Sequence, residues 1–476
     1  MSNPEQTPPL LYAPREPVFP RRVKGFFRSL KWWIMLFTLG VYYLTPWIRW
    51  DRGPNLPDQA VLVDLANRRF FFFWIEIWPH EFYFVAGLLI MAGLGLFLFT
   101  SALGRVWCGY ACPQTVWTDL FILVERWIEG DRNARVRLYK AAWDGRKIRL
   151  RLTKWLVWIL IALATGGAWV FYFADAPTLL RDVVTGQAAF VAYGSIAFLT
   201  ASTFLLGGIA REQVCIYMCP WPRIQAAMMD EDTLTIGYRE WRGEPRGKHR
   251  KADNADQLGD CIDCMACVNV CPMGIDIRDG QQMECITCGL CIDACDDVMS
   301  RIGKPRGLID YMALTDEAPE RAGKPTKPIW KHIIRIRTLV YTALWSLVGV
   351  LLLVALFMRS DIDLNVSPIR NPVYVTLSDG SIRNTYDIRI RNKQGQAHPF
   401  RISVASDADL AVSLQGTEST EITVGADATG SHKVYITAPK GSVAATSGLT
   451  NIRIWAEDTE NGHRTYRDTV FNGKGQ

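Results

Sequence analysis

Cysteine is absent from most of this 476-residue chain: all 12 lie between Cys108 and Cys295, and residues 296–476 have none. Spread, paired cysteines would mark a disulfide framework, which this distribution excludes. Close clustering points instead to metal or redox chemistry in a reducing compartment. Histidine is scarce. The six residues His80, His249, His332, His398, His432 and His463 show no metal-ligand spacing and read as surface or interface positions. Strong charge of either sign is also lacking; the net charge is +6, and no nucleic-acid partner is expected. No small-residue cleavage pattern follows the first apolar run, so no cleavable signal peptide is expected.

What the chain has in plenty is apolar and aromatic residues. Hydrophobic content is 49%, with 18 Trp, 21 Phe and 16 Tyr, a loading that fits aromatic belts at a bilayer. Mean hydropathy is only +0.05, so apolar spans must alternate with polar domains. The length predicts two or three domains. Five segments read as membrane helices, at residues 31–49, 82–104, 154–173, 190–210 and 333–358. The first is the least clean, because Pro46 and Arg49 close it. "FFFWIEIWP" at residues 71–79 is too short to span and reads as interfacial.

Positive charge orients these spans. Arg15, Arg21, Arg22, Lys24, Arg28 and Lys31 precede or open the first. The loop "DRNARVRLYKAAWDGRKIRLRLTK" carries nine Lys/Arg against two Asp and reads as a topogenic, lipid-facing amphipathic stretch. The expected arrangement is a cytoplasmic N-terminal segment (1–30), then four transmembrane helices within 31–210. A cytoplasmic module (211–332), a fifth helix (333–358) and an outer domain (361–476) follow. In that last domain, alternation in "TYDIRIRN", "HKVYITA" and "NIRIWAED" between turn signals predicts an all-β sandwich of immunoglobulin-like size. Its lack of cysteine avoids stray disulfides in an oxidising space.

Residues 261–272 read "CIDCMACVNVCP" and residues 285–295 read "CITCGLCIDAC". Cys-x2-Cys-x2-Cys-x3-Cys, twice, is the spacing of bacterial two-cluster ferredoxins. Three thiolates on a tight loop bind three irons of a [4Fe–4S] cube, and the fourth ligand comes from the remote half. Cys261, Cys264, Cys267 and Cys295 are therefore expected to hold one cluster, and Cys271, Cys285, Cys288 and Cys291 the other. Structural zinc is the competing reading, but zinc ribbons favour two separated Cys-x2-Cys knuckles.

A second repeat stands at the ends of two apolar runs: "VWCGYACPQTVW" and "VCIYMCPWPRIQ". Cys108 and Cys112, like Cys215 and Cys219, are i and i+4, which on a helix would share one face. Pro113 and Pro220 follow directly. Both pairs are expected at the cytoplasmic face, where the repeat would gather four sulfurs near a pseudo-twofold axis. Sulfur ligands favour soft metals, Cu(I) above all, and Met218, Met228 and Met229 could add thioethers. A dithiol/disulfide redox pair is the other serious reading; inert buried cysteines are the bland one.

These blocks, with "ECITCGLCIDACDDVMSRIGKPRGLIDY", give the chain its resemblance to the CcoG/FixG/RdxA family of cytochrome c oxidase accessory proteins, over nearly its whole length. The resemblance implies a protein of the bacterial inner membrane that serves assembly of cbb3-type oxidase as a cupric reductase. It would supply Cu(I) from a site at Cys108, Cys112, Cys215 and Cys219. The partners implied are the bilayer, copper, a cytoplasmic electron donor, a copper transporter or chaperone, and oxidase assembly factors. Two other readings stay open: a quinol-linked electron conduit resembling the NapH and NosR families, and a non-enzymatic scaffold with structural clusters.

Overall fold

The computed structural model of the protein describes residues 17–53, 56–248, 258–360, 362–416, 419–426 and 428–475. Residues 1–16 of the N-terminal segment, with Arg15, and His249 lie outside the described residues. The chain forms two compact units, Met1–Ile48 with Gln59–Leu352, and Arg49–Asp58 with Leu353–Gln476.

The first unit opens with α1 (Phe26–Leu44), which stops just before Pro46. An antiparallel meander of β1 (Val61–Asp64), β2 (Arg69–Phe72) and β3 (Ile75–Ile77) follows. The segment read as interfacial is thus largely strand. Then come α2 (Tyr83–Leu103), the short α3 (Val106–Tyr110), α4 (Pro113–Ile128), α5 (Arg132–Lys140), α6 (Gly145–Val170), α7 (Ala176–Thr185) and α8 (Phe190–Thr203). Sequence signals set several of these ends. The Asp144 side chain caps α6 by accepting from Lys147 N–H at 2.7 Å, and Gly186 closes α7 in the left-handed conformation.

Four helices are long and apolar enough to cross a membrane: α2, α6, α8 with its continuation to Ala210, and α15 (Ile336–Phe357). The protein is a membrane protein. The remaining expected span, α1, is a 19-residue helix whose first two turns carry buried Arg28 and Lys31. Both reach Asp119 of α4, at 2.9 and 3.7 Å. In the basic loop Arg137, Lys140, Trp143, Arg146 and Arg149 are exposed, and other cations turn inward. Arg135 and Lys154 are buried, and both pair with Glu125 of α4, at 3.0 and 3.2 Å. A cation out of water must have a counter-charge, and α4 carries the carboxylates.

After α8 the helix widens into π-type turns at Phe204–Ala210 and Val214–Met218. Next are α9 (Trp221–Met228), β4 (Thr235–Tyr238), α10 (Glu240–Gly243), α11 (Ala266–Val270), α12 (Leu290–Arg301), β5 (Ile309–Met312), α13 (Leu314–Arg321) and α14 (Ile329–Ile333). Strands β4 and β5 pair antiparallel, Thr235 opposite Met312, and bracket both ferredoxin-type motifs. His332 is 1% exposed with Nε2 at 2.7 Å from Asp316, so it is a buried, paired residue and not a surface one. His398 in the second unit is likewise buried, 3.1 Å from Asp458.

The second unit is a sandwich of two antiparallel sheets, ordered β10-β12-β8-β6, with β7 also on β8, and β11-β9-β13-β14. The strands are β6 (Ile362–Pro368), β7 (Val375–Thr376), β8 (Ile382–Asn392), β9 (His398–Ala405), β10 (Ala411–Leu414), β11 (Glu421–Val424), β12 (Thr429–Ala438), β13 (Leu449–Asp458) and β14 (Arg464–Asn472). Alternate residues of β8, among them Tyr386, Ile388 and Ile390, point into one core with Phe400, Ile454 and Phe471.

Candidate cluster and thiol sites

The two ferredoxin-type motifs fold alike. The residues on either side of the second cysteine are left-handed in both: Asp263 and Met265 (φ 51° and 58°), Thr287 and Gly289 (φ 54° and 73°). Three of these four are not glycine, so each loop holds a conformation that L-residues seldom adopt. The fourth cysteines cross over. Cys295, on α12, lies within electrostatic reach of Cys267, Cys264 and Cys261. Cys271, at the end of α11, lies within reach of Cys288 and Cys285, and Cys291 within reach of Cys288, Cys285, Cys271 and Cys267.

All four thiols of the second set, Cys271, Cys285, Cys288 and Cys291, line one apolar cavity with Met273, Ile275, Ile286 and Leu290; Cys267 of the first set touches it. Burial pushes the Cys271 and Cys295 thiols up to about 12, and Cys285 to about 11. Such thiols become ligands when a cation replaces the proton. Two crossed sets of four thiols, one of them around an apolar hollow, suit [4Fe–4S] clusters. Among the described residues no group of three His, Cys, Asp or Glu side chains stands in a metal-holding arrangement.

In the second repeat the two cysteines of a pair do not share one helical face. Cys108 is helical, but α3 ends at Tyr110 and Cys112 is extended (φ −60°, ψ 127°), as the N-cap of α4. Cys219 repeats this, extended at φ −81°, ψ 126° after the π-type turn that carries Cys215. The proline that follows each explains the break, since it drives the residue before it out of the helical region. The match extends upstream. Gly104 (φ 61°, ψ −129°) and Arg211 (φ 45°, ψ −114°), each four residues before the first cysteine, share a backbone conformation. Glycine adopts it freely; arginine there costs on the order of 1–3 kcal/mol. Contacts hold Arg211 in place. It lies 2.5 Å from Glu125, its Nε donates to the Gly208 carbonyl at 2.7 Å, and its own carbonyl accepts from Gln114 at 3.2 Å.

So built, the repeats bring their thiols together. Cys215 is within electrostatic reach of Cys112, Cys108 and Cys219. Burial, then these neighbours, push it up to about 12. Cys108 is raised by burial too, partly offset by the Arg105 guanidinium. Cys108 donates to Gln225 Oε1 at 3.1 Å. Cys108 and Cys215 also pack against the apolar cluster that holds Cys288, Ile286, Met273 and Cys271. The four-thiol group is therefore a direct neighbour of the second ferredoxin-type set. Met218 is 65% exposed and none of Met218, Met228 or Met229 belongs to that cluster.

Sequence spacing found the twelve cysteines. It did not find Gln225, Arg105, Tyr110 or Gln114, which lie beside or between motif cysteines but whose partners are distant in the chain.

Three family matches cover parts of the chain. A 4Fe-4S dicluster domain matches residues 210–314, a 4Fe-4S binding domain residues 84–131, and the immunoglobulin-like fold at the C-terminus of FixG residues 352–474. Protein RdxB of Cereibacter sphaeroides is 70% identical, covering 100% of both chains. The nitrogen fixation protein FixG of Rhizobium meliloti is 52% identical over 97% of this chain and 94% of its own. The ferredoxin-type protein NapH of Haemophilus influenzae is 26% identical over 42% of this chain and 62% of its own.

Proposed function

The chain belongs to the FixG/RdxA family of membrane iron–sulfur proteins, and on that footing we propose that its electron transfer serves copper: one-electron reduction of Cu(II) to Cu(I) for assembly of a cbb3-type oxidase. Cys261, Cys264, Cys267 and Cys295 would hold one [4Fe–4S] cluster and Cys271, Cys285, Cys288 and Cys291 the other. Such clusters supply single electrons at low potential. Cys108, Cys112, Cys215 and Cys219 would take copper as substrate, since thiolates prefer Cu(I) over harder cations. The observation that carries the reading is the packing of Cys108 and Cys215 on the same apolar cluster as Cys288 and Cys271.

On this reading the N-terminal segment and residues 211–332 face the cytoplasm of a bacterial inner membrane, and residues 361–476 lie outside it. A cytoplasmic one-electron donor feeds residues 211–332, and Cu(I) leaves to a transporter or chaperone that serves the oxidase. On this reading copper arrives beside Cys219, where Tyr217 and Met218 are 55% and 65% exposed.

The test is an anaerobic titration of the chemically reduced, cluster-loaded protein. Added Cu(II) should bleach the clusters and appear as Cu(I) in a chelator assay, one copper per electron. Oxidised protein that is reduced by quinol, with no Cu(I) formed from Cu(II), would favour the quinol-linked conduit.

A further inference from the structure

We propose that Tyr110 is a positioning residue that joins the four-thiol site to the second cysteine set, so that electrons leave through Cys271, Cys285, Cys288 and Cys291. They enter through the other set, which includes exposed Cys264. The inference rests on the proposed reading for its acceptor, Cu(II).

Tyr110 stands between Cys108 and Cys112, is 5% exposed, and donates its hydroxyl hydrogen bond to the Cys288 carbonyl at 3.0 Å. One residue of the thiol loop thus bonds directly to the backbone of a ligand of the second set. The approach is as close as backbones allow. A Cβ on Gly109 would stand 2.6 Å from the Ile286 carbonyl oxygen and 3.1 Å from Cys288 Cα, so an alanine there must push the two loops apart. Tyr311 of β5 completes the arrangement by donating to the adjacent Thr287 carbonyl at 2.7 Å. Arg105, buried, donates to the Met283 carbonyl, and its charge is felt by Cys108, Cys215 and Cys285. A fixed cation between the two sites favours the negative charge that arrives with each electron.

The first set has the opposite character. Cys261, Cys267 and Cys295 pack in another apolar cluster, which neither Cys108 nor Cys215 joins. Cys264 is exposed, as is the neighbouring Met265. Exposed Cys264 offers an outside donor a way in, and Cys291 of the second set packs against the first set's cluster, which makes the second set the link to the thiols. The step balances simply: one electron converts Cu(II) to Cu(I), with no proton moved and no bond to carbon, nitrogen or oxygen broken. The electron originates in the external one-electron donor. Tyr110 stays a neutral phenol throughout.

The test uses the full-length, cluster-loaded protein carrying Y110F, G109A or Y311F, with iron and sulfide content measured first. Potentiometric titration followed by electron paramagnetic resonance reads each cluster's potential. Y110F and Y311F should both shift one cluster, the one that C271S also alters, because each removes a hydrogen bond from its loop. Only Y110F and G109A should slow oxidation of the reduced protein by Cu(II), several-fold, with copper binding retained. G109A serves alone if Y110F loses iron. Wild-type rates in both Y110F and G109A, or a Y110F shift falling on the cluster altered by C264S, would overturn the inference. If wild-type protein reduced no Cu(II) while Y110F still shifted the Cys271 cluster, the functional reading would fail and the junction would stand.

Discussion

The Cys108 thiol donates a hydrogen bond to the side-chain oxygen of Gln225, 3.1 Å away. The two residues belong to different copies of the Cys-Pro repeat, so each copy supports the other. Gln225 is 1% exposed and also donates to Thr100 Oγ1 at 3.3 Å.

The first prediction concerns this amide. When Cys108 becomes a thiolate, the buried Gln225 amide can turn its N–H toward it, and a hydrogen bond to a charged group contributes about 1.5–3 kcal/mol. Gln225→Leu keeps the volume and removes the bond. Cu(I) affinity should fall by roughly ten- to a hundredfold, read by competition with a chelator, while iron content stays at the wild-type level. Unchanged affinity would mean Gln225 does not face the metal.

Glu125 is the second. Burial alone would raise its carboxyl, but Arg211, Lys154 and Arg135 outweigh that and hold it at about 2. A depressed carboxyl adds stability above its unfolded value, about 4.3, and loses it as pH falls through the folded value. Wild-type thermal stability in detergent should therefore drop between about pH 4 and pH 2, and that slope should flatten in Glu125→Gln. At neutral pH the same variant takes a carboxylate from buried Arg135 and Lys154 and from partly buried Arg211 and should cost about 3–5 kcal/mol. Because Arg211 anchors the turn before Cys215, copper stoichiometry should fall as well.

Third, crossed ligation predicts which cysteine variants resemble each other. Cys295→Ser should perturb the same magnetic resonance signal as Cys264→Ser, and Cys271→Ser the same signal as Cys291→Ser. Pairing by motif instead, with Cys295→Ser matching Cys291→Ser, would refute the crossed assignment.

The cysteine framework was legible because ligand spacing is a local property: four thiols at x2-x2-x3 leave little else to be. The sandwich was legible for a similar reason, since alternation along β8 writes its two faces directly. Membrane helices were half legible. Apolar length marked α2, α6, α8 and α15, but the buried charges Arg28, Lys31, Arg135 and Lys154 look like solvent-facing residues until Asp119 and Glu125 are seen beside them. The shared helical face expected for Cys108 and Cys112 did not form, because Pro113 drives Cys112 itself into the extended region. Gln225 and Tyr110 stand inside the Cys-Pro stretches, but their roles were not legible because their partners lie 117 and 178 positions away.

The account's central claim is that the four Cys-Pro thiols receive copper and the electron together. The direct measurement replaces Cys108, Cys112, Cys215 and Cys219 with serine in the full-length protein, loads and reduces the clusters, and adds Cu(II) without oxygen. The account predicts normal iron content and normal cluster signals, no tightly held copper, and little or no cluster oxidation by Cu(II). A variant that still binds copper and forms Cu(I) at the wild-type rate would contradict it.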